Sequence, residues 1–562
     1  MPAAAGRAAV REFDRYLGDP DDAATKIPTA RSLELDERSA FPREAIEAID
    51  DWGLQRWYAP AQSGGELRDV LVPMMMIRAI ARRDLTPAVA HGKTFLGAVS
   101  AWIAGGPAAG VMAGLVLHGG PVSWGLTERG RGSDLSNTTT TAGIGAGGIT
   151  LDGVKWPINN ATRGRAVTVL ARSSDVPGPR ALSLVILDKQ RVDAATLELQ
   201  PKVLTHGLRG TDMSGIGMRA TVVEPELIVG EAGHGLELVL KGLQLTRPMT
   251  AALSMGAADH GLAIATEFAA TRRITGGRLA DLPIVRSTLG AAVADVLLAE
   301  AVMYAGAREA HHAPNEMALV SALAKYLGSE TVDLMFRDLA QFLGTDSQLV
   351  DSAGAGAFQK ANRDNRAVGI FDGNSIVCLN VIVNEFTAIA REAEPVDAAD
   401  LVRTHRLDAV LEEELLMTRL RLVTRRGSRM LRALPSLVEM LGARASAAPA
   451  RRISDELARL VEIAGRIPPS AMPSPGAFDV ANRIAHCFGA SCVIALVLGS
   501  ADSGGERTEL RLRAVLERLA ARLGLADPGP LWKSTADLAD DALMLGSDRR
   551  RVSLLEEWET AS

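Results

Sequence analysis

The chain has 562 residues, of which 47% are hydrophobic, 23% charged and 4% aromatic, and its net charge is −6. This length and composition describe a folded protein with several cores and exclude a disordered chain or a small disulfide-stapled scaffold. Acidic and basic residues are interspersed rather than segregated, which excludes the basic footprint of a nucleic-acid-binding protein.

Cysteine usage and apolar runs bear on the compartment. Cys378, Cys487 and Cys492 form no CxxC pair and lie in apolar surroundings, which favours buried thiols in a reducing compartment, so we expect a cytoplasmic protein. The longest apolar runs, 111–117 and 493–498, are too short to cross a bilayer, and no transmembrane segment is expected. The histidines match no metal-ligand spacing, so no metal site is expected.

Residues 1–120 are predicted to form an N-terminal helical domain. In the segment 41–52, apolar residues recur at three- and four-residue spacing, which is typical of a helix with one buried face. Gly53 follows at the position where a glycine commonly ends a helix.

Residues 121–235 are predicted to form a central antiparallel β domain, because short runs rich in Thr, Val and Leu are broken there by Gly and Asn. The stretch 143–148 matches the GxGxxG pattern. A dinucleotide site needs a helix after that pattern, whereas strand and turn continue here. We therefore interpret it as the loop of a β-hairpin.

Long helices rich in Ala and Leu return over residues 236–394, and their mixed apolar faces predict a four-helix bundle. Residues 395–562 are predicted to form an extra C-terminal helical domain with a Pro-rich break at 468–475. An amphipathic helix is predicted at 411–431, as a packing or dimer surface rather than a membrane element, because both charge signs occur on it. The fold class is thus multidomain α+β.

Two motifs carry the functional interpretation. The first is 123–134, Ser-Trp-Gly-Leu-Thr-Glu-Arg-Gly-Arg-Gly-Ser-Asp, which taken alone is a polar, glycine-rich loop after a short strand. The second is 363–374, Arg-Asp-Asn-Arg-Ala-Val-Gly-Ile-Phe-Asp-Gly-Asn, in which Asp-Gly alone would predict a hairpin turn. In this order and at this separation, the two resemble the flavin-binding and catalytic-base segments of the acyl-CoA dehydrogenase family.

The resemblance implies FAD as the cofactor. The family's flavin segment runs aromatic-x-x-Thr-Glu-Pro-x-x-Gly-Ser-Asp, and Arg129 stands here in place of the Pro. The flavin contacts that the resemblance assigns to this segment are Trp124, Leu126, Thr127, Gly132 and Ser133. Ser133 would also lie near the substrate, and the Thr127 hydroxyl would stabilise negative charge on the reduced ring.

The segment 152–161 resembles the family's Asn-Gly-x-Lys-x-Trp-Ile-Thr-Asn-Gly strand, which lies along the flavin ring. Pro157 stands where the family has a ring-covering Trp, and Asn159 where it has Thr, and both are assigned to the cofactor. Trp156 comes one residue earlier. Because successive strand side chains face opposite sides, a core position is the alternative for Trp156.

Four more cofactor contacts follow from the resemblance. Arg272 matches an Arg that reaches the flavin pyrophosphate of a neighbouring subunit, although by itself it reads as a solvated helix end. Gln341 and Gly344 match part of the adenosine-side segment, with Thr345 in place of its second Gly. Asn374 is also assigned to the cofactor.

The base and the substrate contacts come from two segments. Arg247 resembles the Arg that approaches the pantetheine arm of the thioester, and Gly373 is also assigned to the substrate. Some subfamilies carry the catalytic Glu directly before that Arg, but this chain has Thr246. Asp372 aligns instead with the Glu of the medium-chain Ile-Tyr-Glu-Gly-Thr segment. It is one methylene shorter, which fits an altered substrate or a different reaction.

The resemblance covers about residues 32–391. It implies α,β-dehydrogenation of an acyl-CoA or a carrier-protein-bound acyl group: Asp372 removes the α-proton, the β-hydride goes to flavin N5, and an electron-transfer flavoprotein accepts the electrons. Reoxidation by O2, as in acyl-CoA oxidases, is the second interpretation. A catalytically silent flavin-binding or assembly homologue is the third. The C-terminal extension resembles that of very-long-chain dehydrogenases and acyl-CoA oxidases and implies a homodimer.

Overall fold

The structure, a computed structural model, describes residues 2–145, 147–352, 354–391, 396–409, 411, 415–526, 528–548 and 552–555. Its N-terminal unit contains six helices: α1 (Pro2–Leu17), α2 (Thr29–Glu37), α3 (Arg43–Trp52), α4 (Leu71–Ala81), α5 (Leu85–Ala104) and α6 (Gly106–Leu117). As predicted, α3 ends at Gly53, which adopts a left-handed φ of 92°. Nearly all residues of α4 and α5 are buried, so these helices form the centre of the unit.

Seven strands form one sheet: β1 (Val122–Gly125), β2 (Thr141–Gly145), β3 (Gly148–Asn159), β4 (Ala166–Arg172), β5 (Leu182–Asp188), β6 (Leu197–Gln200) and β7 (Met213–Val223). Their order is β1-β4-β2-β3-β7-β6, with β5 also paired to β4. Most pairs are antiparallel, whereas β1 runs parallel to β4. No helix follows β3, and β2 and β3 form a hairpin with Gly145 opposite Gly148, as predicted for the GxGxxG stretch. Ala146 lies outside the described residues.

A buried ion pair fastens the segment after β1 to β3. Lys155 Nζ donates to Glu128 Oε1 at 2.8 Å, and the two side chains are 0% and 5% exposed. Burial by itself raises the pKa of Glu128, but hydrogen bonds from Lys155, Thr138 and Thr139 outweigh it and hold the pKa below its usual range. The chain that follows β1 is therefore anchored by charge as well as by backbone bonds.

The bundle follows the sheet. Its helices are α7 (Gly235–Thr271), α8 (Pro283–His312), α9 (Met317–Leu343), α10 (Ala357–Val368), α11 (Ser375–Asn384) and α12 (Phe386–Ile389), with a small hairpin, β8 (Arg273–Ile274) and β9 (Gly277–Arg278), after α7. The three long helices pack against one another, and Pro248 of α7 lies on Gly306 of α8. The bundle also contacts α4 and α5, so the site described below is enclosed by both units.

A C-terminal helical unit is built onto the bundle. Its helices are α13 (Ala398–Thr404), α14 (Arg429–Leu441), α15 (Ala447–Arg466), α16 (Pro475–Leu498), α17 (Glu506–Arg522) and α18 (Pro528–Asp548). A Cβ at Gly290 of α8 would overlap the carbonyl oxygen of Thr535 in α18, so glycine permits this close approach. Arg518 and Arg522 of α17 both pair with Asp295 of α8, at 2.6 and 2.8 Å. The predicted boundary at 394–395 lies outside the described residues.

The helix predicted over 411–431 is wrong in the part that the structure describes. From 415 to 428 the chain forms only one short turn, Met417–Arg419, and α14 begins after it. Residues 412–414 lie outside the described residues. We call residues 415–428 the arginine loop.

Side chains of the bundle bond backbone groups of the arginine loop that would otherwise bond within a helix. Gln244 Nε2 of α7 donates to the carbonyl of Arg421 at 2.7 Å. The backbone N–H of Thr424 donates to the carboxylate of Glu385 at 3.1 Å, and the Thr424 hydroxyl donates to it at 2.5 Å. The periodic pattern is present in the sequence, but these tertiary partners hold the backbone in another form.

Two helices, α8 and α16, are long and apolar enough to cross a membrane by length and composition alone. In the fold, 100% and 89% of their apolar windows are buried against other parts of the chain. Both are therefore core helices of this structure. The three cysteines are free and buried, as predicted.

Glu316, which precedes α9, links the bundle to the C-terminal unit. Its Oε2 accepts a hydrogen bond from the backbone N–H of Arg429 at 2.6 Å. Burial, and next to it the carboxylate of Glu309, raise the pKa of Glu316 to about 7. The folded protein therefore holds a proton there that the unfolded chain releases at lower pH.

Replacing Lys155 by Met should lower the free energy of unfolding by about 3 kcal/mol, because Glu128 keeps its charge in a buried site without its cation. Urea unfolding checks this. The double variant Glu128→Gln/Lys155→Met is the matched control and should recover part of the loss. Equal loss in both variants would show that the pair does not anchor the segment.

Glu316→Gln should remove part of the pH dependence of the free energy of unfolding. The raised pKa of Glu316 contributes to the free energy of unfolding fully below pH 4.5, and this contribution is lost as the pH rises through about 7. The wild type should therefore lose stability relative to the variant between pH 5 and pH 8, by an amount on the order of 3 kcal/mol. Urea unfolding of both proteins at the two pH values measures the difference, and parallel curves would contradict the expectation.

Candidate active site

Asp372 lies in the turn that joins α10 to α11. Asp372 and Gly373 both adopt left-handed backbone conformations, with φ of 58° and 95°. Asn374 then caps α11, because its Oδ1 accepts the N–H of Val377 at 2.9 Å. The Asp-Gly pair is thus a helix-to-helix turn, not the hairpin that it would indicate by itself.

The carboxylate of Asp372 is largely buried, and only one of its two oxygens has a hydrogen-bond partner among the described residues. Lys93 Nζ of α5 donates to its Oδ1 at 3.2 Å, and the two side chains are 14% and 9% exposed. The other oxygen, Oδ2, is buried and has no hydrogen-bond partner among the residues that the structure describes. Arg247 of α7 holds the turn, because its Nε donates to the Asp372 carbonyl at 3.4 Å.

A narrow cavity opens at Asp372. Its volume is about 10 Å³, roughly the room for one water molecule. The surface is almost entirely apolar and comes from α4, α5 and α7, with Lys93, Thr246, Phe371 and Asp372 at one end. The Thr246 hydroxyl is also buried without a partner among the described residues. A larger cavity of about 200 Å³ lies at α3 and includes neither Asp372 nor Arg247.

Three cations surround this one carboxylate. Lys93 also lies over the ring of Phe371, with its Nζ 4.1 Å from the ring centre. Lys325 Nζ donates to the carbonyls of Val368 and Gly369 just before the turn, and burial lowers the pKa of Lys325. With Arg247, the site therefore holds more positive than negative charge.

Lys93 was missed by sequence reasoning. It lies 279 residues before Asp372, and only the fold brings the two together. A signal is nevertheless present: Lys93 is the one residue of type Lys, Arg, Asp or Glu in the sequence of α5, which is otherwise almost wholly buried. A lysine in such a helix needs a partner.

A β-bulge in β3 sets the direction of the Trp156 side chain. Lys155 pairs with Ile216 and Ile158 with Ser214, so β3 has one more residue than β7 across this step. The extra residue puts Trp156 beside Gly215, where a Cβ would meet the indole ring at 2.9 Å. The alternation expected from an unbroken strand, which would have made Trp156 a core residue, does not apply here.

Asn159 provides a fit test for a flavin. Its side chain is buried, yet both its amide nitrogen and its amide oxygen lack partners among the described residues. Thr127 lies beside the same strand, β3, because its carbonyl accepts the N–H of Trp156 at 2.9 Å. Unpaired donors and acceptors at this position suit the polar edge of an isoalloxazine ring. The guanidinium of Arg129 covers the Trp156 ring at 3.8 Å.

The remaining predicted residues lie in three places. Trp124 lies on β1, against Gly242 of α7, and Leu126 lies just after β1. Pro157 lies on the bulge of β3. Gly132 and Ser133 lie in an exposed loop after that strand. Three residues lie elsewhere, at the far ends of α7 and α9: Arg272, Gln341 and Gly344. Along α7, Arg272 is about 36 Å from Arg247.

Known proteins with similar sequences belong to one family. Residues 123–220 match the model of the acyl-CoA dehydrogenase middle domain, and residues 233–386 match that of the acyl-CoA dehydrogenase C-terminal domain. A probable acyl-CoA dehydrogenase of Mycobacterium tuberculosis is 24% identical over 354 residues, which cover 63% of this chain and 89% of that protein. The human mitochondrial short-chain specific acyl-CoA dehydrogenase is 24% identical over 362 residues, covering 61% and 82%.

Solved structures show the same fold. Butyryl-CoA dehydrogenase from Megasphaera elsdenii aligns with a TM-score of 0.60 at 22% identity, covering 68% of this chain and 96% of that one. The prolyl acyl carrier protein oxidase AnaB aligns with a TM-score of 0.60 at 19% identity, covering 67% and 97%. Together, the domain matches, the relatives and the fold show that the chain belongs to the acyl-CoA dehydrogenase family of flavin oxidoreductases.

Proposed function

We propose that the protein removes the α- and β-hydrogens of an acyl thioester, with Asp372 as the base. The observation that carries this proposal is the free Oδ2 of Asp372, buried at the end of an apolar cavity. A hydrogen α to a thioester is only weakly acidic, so the base must be held close to it and kept from water. The burial of Asp372 Oδ2 and the contact of its other oxygen with Lys93 support this role.

The surrounding cations have two tasks in this proposal. Lys93 bonds one carboxylate oxygen and leaves the other free, which orients the base. As Asp372 takes up the proton, negative charge moves to the thioester oxygen, and the positive charge of Lys93 and Arg247 favours it there. Arg247 also keeps the turn in place by holding the Asp372 carbonyl.

FAD is the proposed cofactor, and when bound it supplies the acceptor of the β-hydride. Asn159 and Thr127 would hold the polar edge of the ring, and Trp156 would lie beside it after Arg129 moves from its face. The unpaired amide of Asn159 supports this assignment. Asn374, next to the base, is the proposed contact from the bundle.

A homodimer is proposed because one chain does not bring all the cofactor residues together. Arg272, Gln341 and Gly344 lie at the far ends of α7 and α9, about 36 Å along α7 from Arg247. Arg272 and Gln341 are exposed, and so is Gly344. These residues can therefore complete the site of a second copy, as the family resemblance implies.

The electron acceptor is proposed to be an electron-transfer flavoprotein, as the family resemblance implies, and these two relatives are named dehydrogenases rather than oxidases. The AnaB structure, described as an oxidase, favours O2 as the second candidate. Hydrogen peroxide formation in air without an added acceptor separates the two. Butyryl-CoA is the first substrate to test, because butyryl-CoA dehydrogenase has the same fold and the cavity beside Asp372 would have to widen least for a short acyl group.

Asp372→Asn should keep the absorbance of bound FAD but slow its anaerobic bleaching by butyryl-CoA by about 10²- to 10⁴-fold, because the amide cannot accept the α-proton. Asp455→Asn, on the exposed face of α15, is the matched control and should bleach like the wild type. Palmitoyl-CoA should bleach the wild type more slowly than butyryl-CoA does. Full bleaching in Asp372→Asn, or a wild type that never takes up FAD, would sink the proposal.

Lys93→Met should lower the free energy of unfolding by about 2 kcal/mol, because Asp372 loses its partner in a largely buried site. A double-mutant cycle with Asp372→Asn should give a coupling energy of about 1–2 kcal/mol, measured by urea unfolding. The same cycle with Asp455→Asn should be additive within about 0.5 kcal/mol. Additivity in both cycles would mean that the two side chains do not support each other.

A further inference from the structure

The arginine loop is the part of the C-terminal unit that reaches the site. Gln244 of α7 bonds the Arg421 carbonyl, and Gln244 precedes Arg247 by three residues. Leu240, Gln244 and Arg247 share one face of α7, because residues three and four apart are neighbours on a helix. The loop therefore covers this face one turn away from the residue that holds the base.

That face of α7 runs from the protein surface to the site. Leu240 is 38% exposed, whereas Gln244 and Arg247 are 2% and 5% exposed. The distance from Leu240 to Arg247 along the helix is about 10 Å. α7 contributes Thr246, Met249, Thr250 and Leu253 to the cavity at Asp372, so the cavity extends along α7 away from Leu240.

The exposed part of the loop is basic with an apolar centre. Arg421, Arg425 and Arg426 are exposed, and none of the three pairs with a carboxylate within the described ranges. Leu422 and Val423 between them are 41% and 68% exposed. Three glutamates, at 412–414, precede the loop in the sequence and lie outside the described residues. These exposed arginines stand on a chain of net charge −6 and have no carboxylate partner among the described residues.

We infer that the arginine loop is the docking surface for an acidic acyl carrier protein, whose phosphopantetheine arm enters along Leu240 and Gln244 to bring its thioester to Asp372. This rests on the proposed function. Arginines flanking two apolar side chains match an acidic protein surface with apolar patches, since charge steers the encounter and apolar contact retains it. A free acyl-CoA offers its phosphates to such a loop but no partner for Leu422 and Val423.

The anchoring of the loop fits this role. Its backbone is held by Gln244 and Glu385, and Arg391 donates to the carbonyl of Arg425 at 3.2 Å. The arginine side chains point outward from a fixed frame, so little ordering is needed when a partner binds.

The experiment uses the full-length, FAD-loaded protein and a fluorescently labelled bacterial acyl carrier protein that carries butyrate on its phosphopantetheine. The test variant is Arg425→Glu/Arg426→Glu. The matched control is Arg451→Glu/Arg452→Glu, an adjacent pair of exposed arginines on α15 with the same change in charge. Fluorescence anisotropy measures carrier binding at low and high salt, and anaerobic bleaching by butyryl-CoA is measured in parallel.

The expected result is carrier binding that weakens by about tenfold or more in the test variant and with added salt, but not in the control. The limiting rate of bleaching at saturating butyryl-CoA should be the same in all three proteins. Bleaching by butyryl-CoA without any carrier binding, or equal binding by all three proteins, would overturn the docking surface and leave the proposed function standing. Loop-dependent carrier binding without bleaching would overturn the proposed function alone. Retention on anionic phospholipid vesicles in place of carrier binding would assign the loop to a membrane surface and overturn the inference.

Discussion

The structure depends on the cost of placing one carboxylate in an apolar enclosure. An ionised Asp372 away from water would be unstable without a cation, and Lys93 provides it from α5. This pairing ties α5 to the turn before α11. It also leaves the second carboxylate oxygen without a partner among the described residues, and the proposed function uses this oxygen to accept the proton.

Helix α7 places most of the other parts relative to that carboxylate. Gly242 leaves room for Trp124 of the sheet, Thr246 lines the cavity, and Arg247 holds the Asp372 carbonyl. Because these residues fall within about two turns of one rigid helix, the strand that would face a flavin and the turn that carries the base are fixed to a common frame. A site that needs a base and a cofactor on two sides of a small substrate requires such a frame.

Much of the fold and part of the site could be predicted from the sequence, because their determinants are local. Gly53 ends its helix as expected, the glycine-rich stretch forms a hairpin, and the order of helical and β units follows from local patterns. The rest depends on contacts between distant residues. Lys93 meets Asp372 only in the folded chain, and the bulge at Trp156 depends on how β3 registers with β7. The arginine loop has a helical pattern but no helix, since Gln244 and Glu385 satisfy its backbone.

The inferred docking surface would give the C-terminal unit a role beyond packing. Its contacts with α8, through Gly290 and Asp295, fix the unit on the bundle at one place. The arginine loop, anchored on Gln244 and Glu385, fixes it at another, beside the route to the base. Arginines without carboxylate partners among the described residues add no stability at that second place, since like charges held close together repel. Their cost is explained if an acidic surface neutralises them while the thioester is bound.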